Sequence, residues 1–279
     1  MTTQSVSSGA RLTRRELDFW LTGILLARWL SGSLLELGRR VSVELDRLAH
    51  PNLFQLLAWF ALFRLIGQSR ESGAVRPGDI VAAGLCAISV LAPGDNAIWI
   101  ACTLGSCYFI LTRDGDPYRS SAATILIALA TNGLWGPTLF RYVGYELLKL
   151  DTLIVATMLA VTGHLQSWYA NVVTSGGSSV EIFEGCSSFH NISLALLGWV
   201  SFTKLARPRW QRSDAAVAGL CVAATLAWNS LRLYILAIVS GDKAAFVFWH
   251  SGTGARIFGA ALAFTIAAVS VAGANRRTQ

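Results

Sequence analysis

Three side chains suited to acyl-transfer chemistry stand at the ends of apolar segments in the second half of the chain: Cys186, Arg232 and His250. Cys186 lies in Glu184-Gly-Cys-Ser-Ser-Phe-His-Asn191, a polar knot at the head of an apolar stretch that runs to Phe202, next to the polar loop Asn171–Glu184. Arg232 closes Asn229-Ser-Leu-Arg232, and His250 falls in Trp249-His-Ser-Gly-Thr-Gly254. A thiol attacks a carbonyl as thiolate, and its pKa falls beside a cation or at a helix N-terminus. A helix beginning after Cys186 offers free N–H groups and a positive dipole end. An imidazole at His250 can deprotonate the thiol and later protonate a leaving amine. A guanidinium at Arg232 can donate hydrogen bonds to a developing oxyanion. An arginine inside a membrane segment is costly enough to count as a functional site by default. Asn229 precedes it by three residues, on the same helix face, and can orient it. The combination describes a cysteine nucleophile working at a membrane surface.

Plainer readings stand beside each residue. Cys186 can be an inert interfacial cysteine, Arg232 can snorkel to headgroups, and His250 can be an interfacial hydrogen-bonding histidine. Glu181 and Glu184 read as a solvated loop edge, and His164 reads as unremarkable. A metal reading also exists. Cys186 and His190 are four apart and share a helix face, with His250 and His164 to complete a tetrahedron. No second close ligand pair supports it and the carboxylates are poorly spaced, so no metal is expected. Cys86, Cys102, Cys107 and Cys221 lie inside apolar segments, where cysteine packs as a small hydrophobe.

The elements that must position these groups follow from composition. The chain has 279 residues, 53% of them hydrophobic and 14% charged. A soluble domain is nearer about a quarter charged, so the chain reads as an integral membrane protein. The net charge of +7 sits at segment ends, which fits topology and contact with membrane lipids rather than nucleic acid, and ten tryptophans suit interfacial anchoring. The N-terminal tail lacks the pattern of a removable signal peptide. Apolar segments long enough to approach a membrane span fall at 17–37, 53–68, 79–93, 96–112, 119–138, 187–206, 214–238 and 253–273. Arg28 and Glu36 interrupt the first, which can lie at the interface instead.

The connections sort by charge. Gln68–Pro77, Arg113–Arg119, Lys204–Arg212 and the tail from Asn275 are basic, whereas 92–96 and 164–185 carry no Lys or Arg. Placing the basic connections in the cytoplasm satisfies the positive-inside rule, with 1–16 a cytoplasmic tail and residues 39–50 offending it. Arg141, Glu146, Lys149 and Asp151 interrupt 140–163, which is expected along the outer surface, beneath an extracytoplasmic loop at 164–185. The fold expected is one all-α polytopic bundle over 1–279, about eight membrane helices with an outer surface helix and loop. Cys186, Arg232 and His250 then meet on the outer face of the cytoplasmic membrane.

Glu184-Gly-Cys-Ser187, Asn229-Ser-Leu-Arg232 and His250 with Gly254 stand in the order and spacing of motifs in the exosortase/archaeosortase family, which the chain resembles over roughly 135–273. That resemblance implies a membrane cysteine transpeptidase with Cys186, Arg232 and His250 catalytic and Glu184, Ser187 and Asn229 auxiliary; His190, which the family motif does not supply, is auxiliary in that reading because His250 stands at the position of the family's histidine. It implies secreted protein substrates that end in a short motif, a membrane helix and a basic tail, cleaved through a Cys186 thioester and passed to an acceptor, with no cofactor. Ser188 replaces the glycine usual after Cys-Ser, and Phe189-His190-Asn191 lacks the arginine often found there. Two alternatives remain open: a transporter or envelope polysaccharide assembly protein, for which Asn132-Gly-Leu-Trp-Gly-Pro137 would be a broken segment, and a membrane metal-binding protein.

The charge pattern yields a labelling test. In a cysteine-depleted background, Ser178→Cys is expected to react with a membrane-impermeant thiol reagent on intact cells and Arg209→Cys is not. Labelling at position 209 would reverse the topology.

Overall fold

The computed structural model describes residues 12–40, 53–69, 73–94 and 96–275. Most of the tail 1–16, most of the basic stretch 39–50, part of the connection 68–77 and the last basic residues lie outside the described residues. Each of the eight apolar segments falls on a helix: α1 (Arg14–Arg40), α2 (Leu53–Gln68), α3 (Pro77–Leu91), α4 (Ala97–Leu111), α5 (Pro117–Ala130), α7 (Ser188–Ala206), α8 (Ser213–Ile238) and α10 (Thr253–Asn275). The remaining helices are α6 (Gly136–Val161) and α9 (Lys243–His250). The runs Pro117–Val161, Ser213–Gly241 and Lys243–Ala274 are long and apolar enough to cross a membrane, while α2, α3 and α4 are apolar but shorter.

The chain groups into two compact units, Met1–Ile127 and Ala128–Gln279. In the first, α1 packs on α2, α3 and α4. Leu21, Leu25 and Trp29 of α1 are buried, as are Ala58, Trp59, Leu62 and Leu65 of α2. Polar pairs close this unit. Arg14 donates to Asp79 at 3.0 Å and to Asp114 at 2.8 Å. That hydrogen bond holds the Asp114 carboxyl below its ordinary pKa range. Arg119 reads in the sequence as part of a basic connection, but it lies in the first turn of α5, buried. It donates to Asp18 at 3.0 Å and stacks over the Tyr108 ring. Its charge is neutralised internally, so it contributes little to the topological signal.

In the second unit α7, α8 and α10 pack against one another and α6 packs on α7 and α8. α6 runs unbroken through Arg141, Glu146, Lys149 and Asp151. Arg141 and Glu146 face outward, while Asp151 turns inward and is buried. A five-residue π-helical stretch, Thr131–Trp135, lies where the sequence suggests a broken segment, and Asn132 there donates to Ser193 of α7 at 2.9 Å.

The expected loop at 164–185 is instead mostly a three-stranded antiparallel meander, β1 (Leu165–Tyr169), β2 (Val172–Ser175) and β3 (Ser178–Glu181), in the order β1-β2-β3. Gly176 and Gly177 form its second turn with φ of 58° and 81°. Positive φ at both central residues is the geometry that matches strand twist in a two-residue hairpin. Val173 and Ile182 point beneath the sheet into a core with Val155 and Leu159 of α6 and Leu233, Leu236 and Ala237 of α8. The strands are four or five residues long and mostly polar on one face, so alternation is weak over so few positions. Val172-Val-Thr before Gly-Gly was the available signal. The sheet joins α6 and α8 through an apolar floor and delivers the chain to Cys186.

The Arg119–Asp18 pair gives a stability test. Asp18→Ala removes the carboxylate that faces a buried guanidinium and is expected to destabilise the fold by about 3–5 kcal/mol. Thermal unfolding of the purified protein in detergent measures it, with Arg15→Ala at an exposed position of the same helix as the control.

Candidate active site

The approach to the thiol is a tight turn outside any long element. The Ile182 N–H donates back to the Asn171 carbonyl at 2.8 Å, ending the pairing of the sheet. Glu184–Cys186 then forms a 3₁₀ turn in which the Cys186 N–H donates to Phe183 at 2.9 Å and the Ser187 N–H to Glu184 at 3.0 Å. Ser187 has extended backbone and is the cap residue of α7, which begins at Ser188. Its hydroxyl is buried and makes no cap bond.

Two neighbouring helices hold this turn. From α6, the buried Asp151 carboxylate accepts the Ser188 N–H at 2.9 Å, and so caps α7 in place of Ser187. From α8, the Asn229 side-chain amide donates to the Cys186 carbonyl and to the Ser188 hydroxyl, each at 3.0 Å. Asn191 of α7 donates to the Asn229 side-chain oxygen at 2.9 Å, which fixes the orientation of that amide. The carbonyl of the cysteine is thus pinned while its sulfur stays half-exposed.

His250 is the last residue of α9. Asp242 caps the start of that helix, accepting from the Ala244 and Ala245 N–H groups at 2.9 and 3.1 Å. The His250 ring stacks on Phe246 with centroids 5.3 Å apart and planes 12° from parallel. Its Nε2 lies 3.8 Å from Cys186 Sγ, within reach of a sulfur hydrogen bond. Gly254, just beyond, admits close packing: a Cβ there would sit 2.4 Å from Trp249 Cε3 and 3.0 Å from the Phe248 carbonyl oxygen.

Arg232 donates from Nη2 to the His250 carbonyl at 3.0 Å. It therefore ties α8 to the C-terminal end of α9, where the helix dipole favours a cation. Its Nε is buried without a hydrogen-bond partner. The same guanidinium lines a cavity of about 190 Å³ together with Trp228, Asn229, Asn191 and Phe258. A thiol, an imidazole and a guanidinium with spare donors thus occupy one neighbourhood, suited to nucleophilic attack and to stabilising the charge it creates.

The structure corrects several sequence readings. Asn229 holds the cysteine turn rather than orienting Arg232. Cys186 and His190 do not share a helix face, because the thiol precedes α7 and sits in the 3₁₀ turn. His190 is exposed in the first turn of α7, where its carbonyl accepts from Ser193 at 2.8 Å. His164 is exposed, and its N–H closes the end of α6 on Leu159. Among the described residues no three His, Cys, Asp or Glu side chains gather as metal ligands. Glu184 is exposed and contributes its carbonyl to the turn. Cys86, Cys102 and Cys221 are buried as packing residues, whereas Cys107 is exposed. Asp151 and Asn191 are the residues that sequence reasoning missed. A lone carboxylate just before the apolar run 152–163 was the signal for the first.

A protein-family model described as transmembrane exosortase matches residues 20–267. Searches of curated proteins and of solved structures each found no match.

The cross-helix cap is testable. Asp151→Ala leaves the Ser188 N–H without its acceptor and is expected to cost about 1 kcal/mol, the usual worth of a cap. Asp151→Asn, which keeps an oxygen acceptor, should recover most of it. Melting temperatures of the three proteins in one detergent decide the point, and equal losses for Ala and Asn would contradict it.

Proposed function

Because the chain belongs to the transmembrane exosortase family, we propose that it is a membrane cysteine transpeptidase that cleaves the C-terminal sorting signal of secreted proteins. The observation that carries this reading is the 3.8 Å approach of His250 Nε2 to Cys186 Sγ, between residues 64 positions apart.

The reaction follows from the groups present. His250 takes the thiol proton, and the thiolate attacks the scissile carbonyl. The donors of Arg232 not committed to the His250 carbonyl face the developing oxyanion. The imidazolium then protonates the departing amine, leaving an acyl group on Cys186 as a thioester. An acceptor amine, or water, takes the acyl group and regenerates the thiol. Asn229 and Asp151 hold the turn in place throughout, so attack costs little reorganisation. No cofactor enters this sequence.

The substrate in this reading is a secreted protein ending in a short motif, a membrane helix and a basic tail. The enzyme crosses the cytoplasmic membrane about eight times and presents the site on its extracytoplasmic face. A bundle of helices suits a substrate that is itself anchored by a helix, since the scissile bond must meet the thiol where that helix leaves the bilayer. Ser188 in place of glycine is explained by its hydroxyl, which accepts from Asn229. The transporter reading rests on the π-helical stretch at Thr131–Trp135. The two readings part on chemistry: only the transpeptidase needs a thiol at 186.

Processing of a tagged secreted substrate in membranes is the assay. Cys186→Ala is expected to abolish cleavage and Cys186→Ser to be nearly as poor. His250→Ala should slow acylation by roughly 10²–10⁴-fold, the usual worth of an acid–base group. Arg232→Lys should fail substantially, because a point charge replaces a planar fork of donors. Unimpaired processing by Cys186→Ala would sink the cysteine mechanism.

A further inference from the structure

We propose that the open edge of β3 binds the polypeptide to be cleaved, which adds to the sheet as a fourth strand and is delivered along that edge to Cys186. The proposal rests on the transpeptidase reading and names how its substrate is held.

The pairing register determines which backbone groups face outward. The hairpin turn has two residues, so Ser175 and Ser178 face each other as the first mutually bonded pair. Alternation then turns the N–H and C=O of Ser178 and Val180 toward β2, and those of Ser179 and Glu181 away from it. The Ile182 N–H bond to Asn171 agrees with this phase. No hydrogen bond among the described residues reaches the backbone of Ser179 or Glu181, and both residues are exposed. β1, the other edge of the sheet, has a register shift between Leu165 and Ser167. A bulge of that kind blunts an edge against further pairing. The β3 edge has none.

The edge also leads to the thiol. Four residues separate Glu181 from Cys186. At its other end β3 packs on the 3₁₀ turn Val239–Gly241, with Ser178 Oγ 3.6 Å from where a Gly241 Cβ would stand. α9 starts directly after that turn and ends at His250. The segment from β3 to Cys186 and the segment from Gly241 to His250 therefore start together and meet again at the sulfur–imidazole pair. A peptide laid on the β3 edge runs between them toward the reacting atoms. Phe183 and Val247, one on each segment, are exposed apolar side chains at 59% and 51%.

The chemistry favours an extended peptide as the occupant. A scissile carbonyl must be presented to a fixed sulfur, and main-chain pairing fixes a peptide in both direction and register. It does so without reading side chains, except at alternate positions. The occupant is the stretch of substrate on the aqueous side of its membrane helix.

The experiment uses the full-length protein in membranes with a tagged secreted substrate. Ser179→Pro and Glu181→Pro delete outward N–H donors where an edge strand tolerates proline. At limiting substrate each is expected to slow cleavage about tenfold, the scale of one or two hydrogen bonds. Ser179→Ala and Glu181→Ala should stay within about twofold. Alkylation of Cys186 by iodoacetamide, with the other four cysteines replaced, should be unchanged in the proline variants. Normal cleavage by them overturns strand addition while leaving the cysteine mechanism intact; only active Cys186→Ala overturns the latter. If proline disturbs alkylation, disulfide trapping decides. Ser179→Cys in a Cys186→Ala background should trap single cysteines at alternate positions along the substrate signal. Trapping without alternation, or trapping only of a second copy of this chain, overturns the proposal.

Discussion

A half-buried cysteine on a turn must have its backbone satisfied, because unpaired N–H and C=O groups away from water are expensive. The rest of the second unit is arranged around that need. Within the turn, two N–H groups close on carbonyls three residues back. The Cys186 carbonyl and the Ser188 N–H have no partner in the turn itself, and they are met from outside by Asn229 and Asp151. Both partners are almost fully buried, so neither can turn to solvent instead. The sulfur is left half-exposed at the end of a rigidly bonded backbone.

The meander serves the same end by a different force. Its buried face supplies Val173, and Ile182 follows just after β3, in a core built with α6 and α8. Burying a side chain of this size contributes about 1.5–3 kcal/mol. The sheet is thus fastened by apolar contact beneath, while the turn after it is fastened by hydrogen bonds. Cys186 packs at the margin of that core, between the two kinds of restraint. The first unit is closed by ion pairs: Arg14 and Arg119 are each buried and paired with buried aspartates.

Most of the helices were legible because long apolar segments leave one economical solution in a bilayer. That Cys186, Arg232 and His250 lie close together was legible because each is polar at the end of such a segment, a rare and costly placement. What stayed hidden has physical reasons. Asp151 and Asn229 act across helices, and which residue caps which helix is a matter of packing that spacing along one chain does not encode. The shared helix face assumed for Cys186 and His190 failed because α7 starts two residues after the thiol. The meander was missed because strands of four or five residues give periodicity too little length to register, although Val172-Val-Thr-Ser followed by two glycines carried the local hint.

Asn229 and Arg232 sit on one helix, three residues apart, and each grips a carbonyl: one that of Cys186, the other that of His250. α8 therefore acts as a ruler. The separation between the sulfur and the imidazole is read off a single rigid rod with about 1.5 Å of rise per residue, not off the turn and the short helix that bear them. Inserting one residue between the pair would swing one grip away from the other by about 100°, parting sulfur from imidazole while leaving every reactive group in the protein. In this chain the spacing of Asn-Ser-Leu-Arg is a length standard before it is a motif.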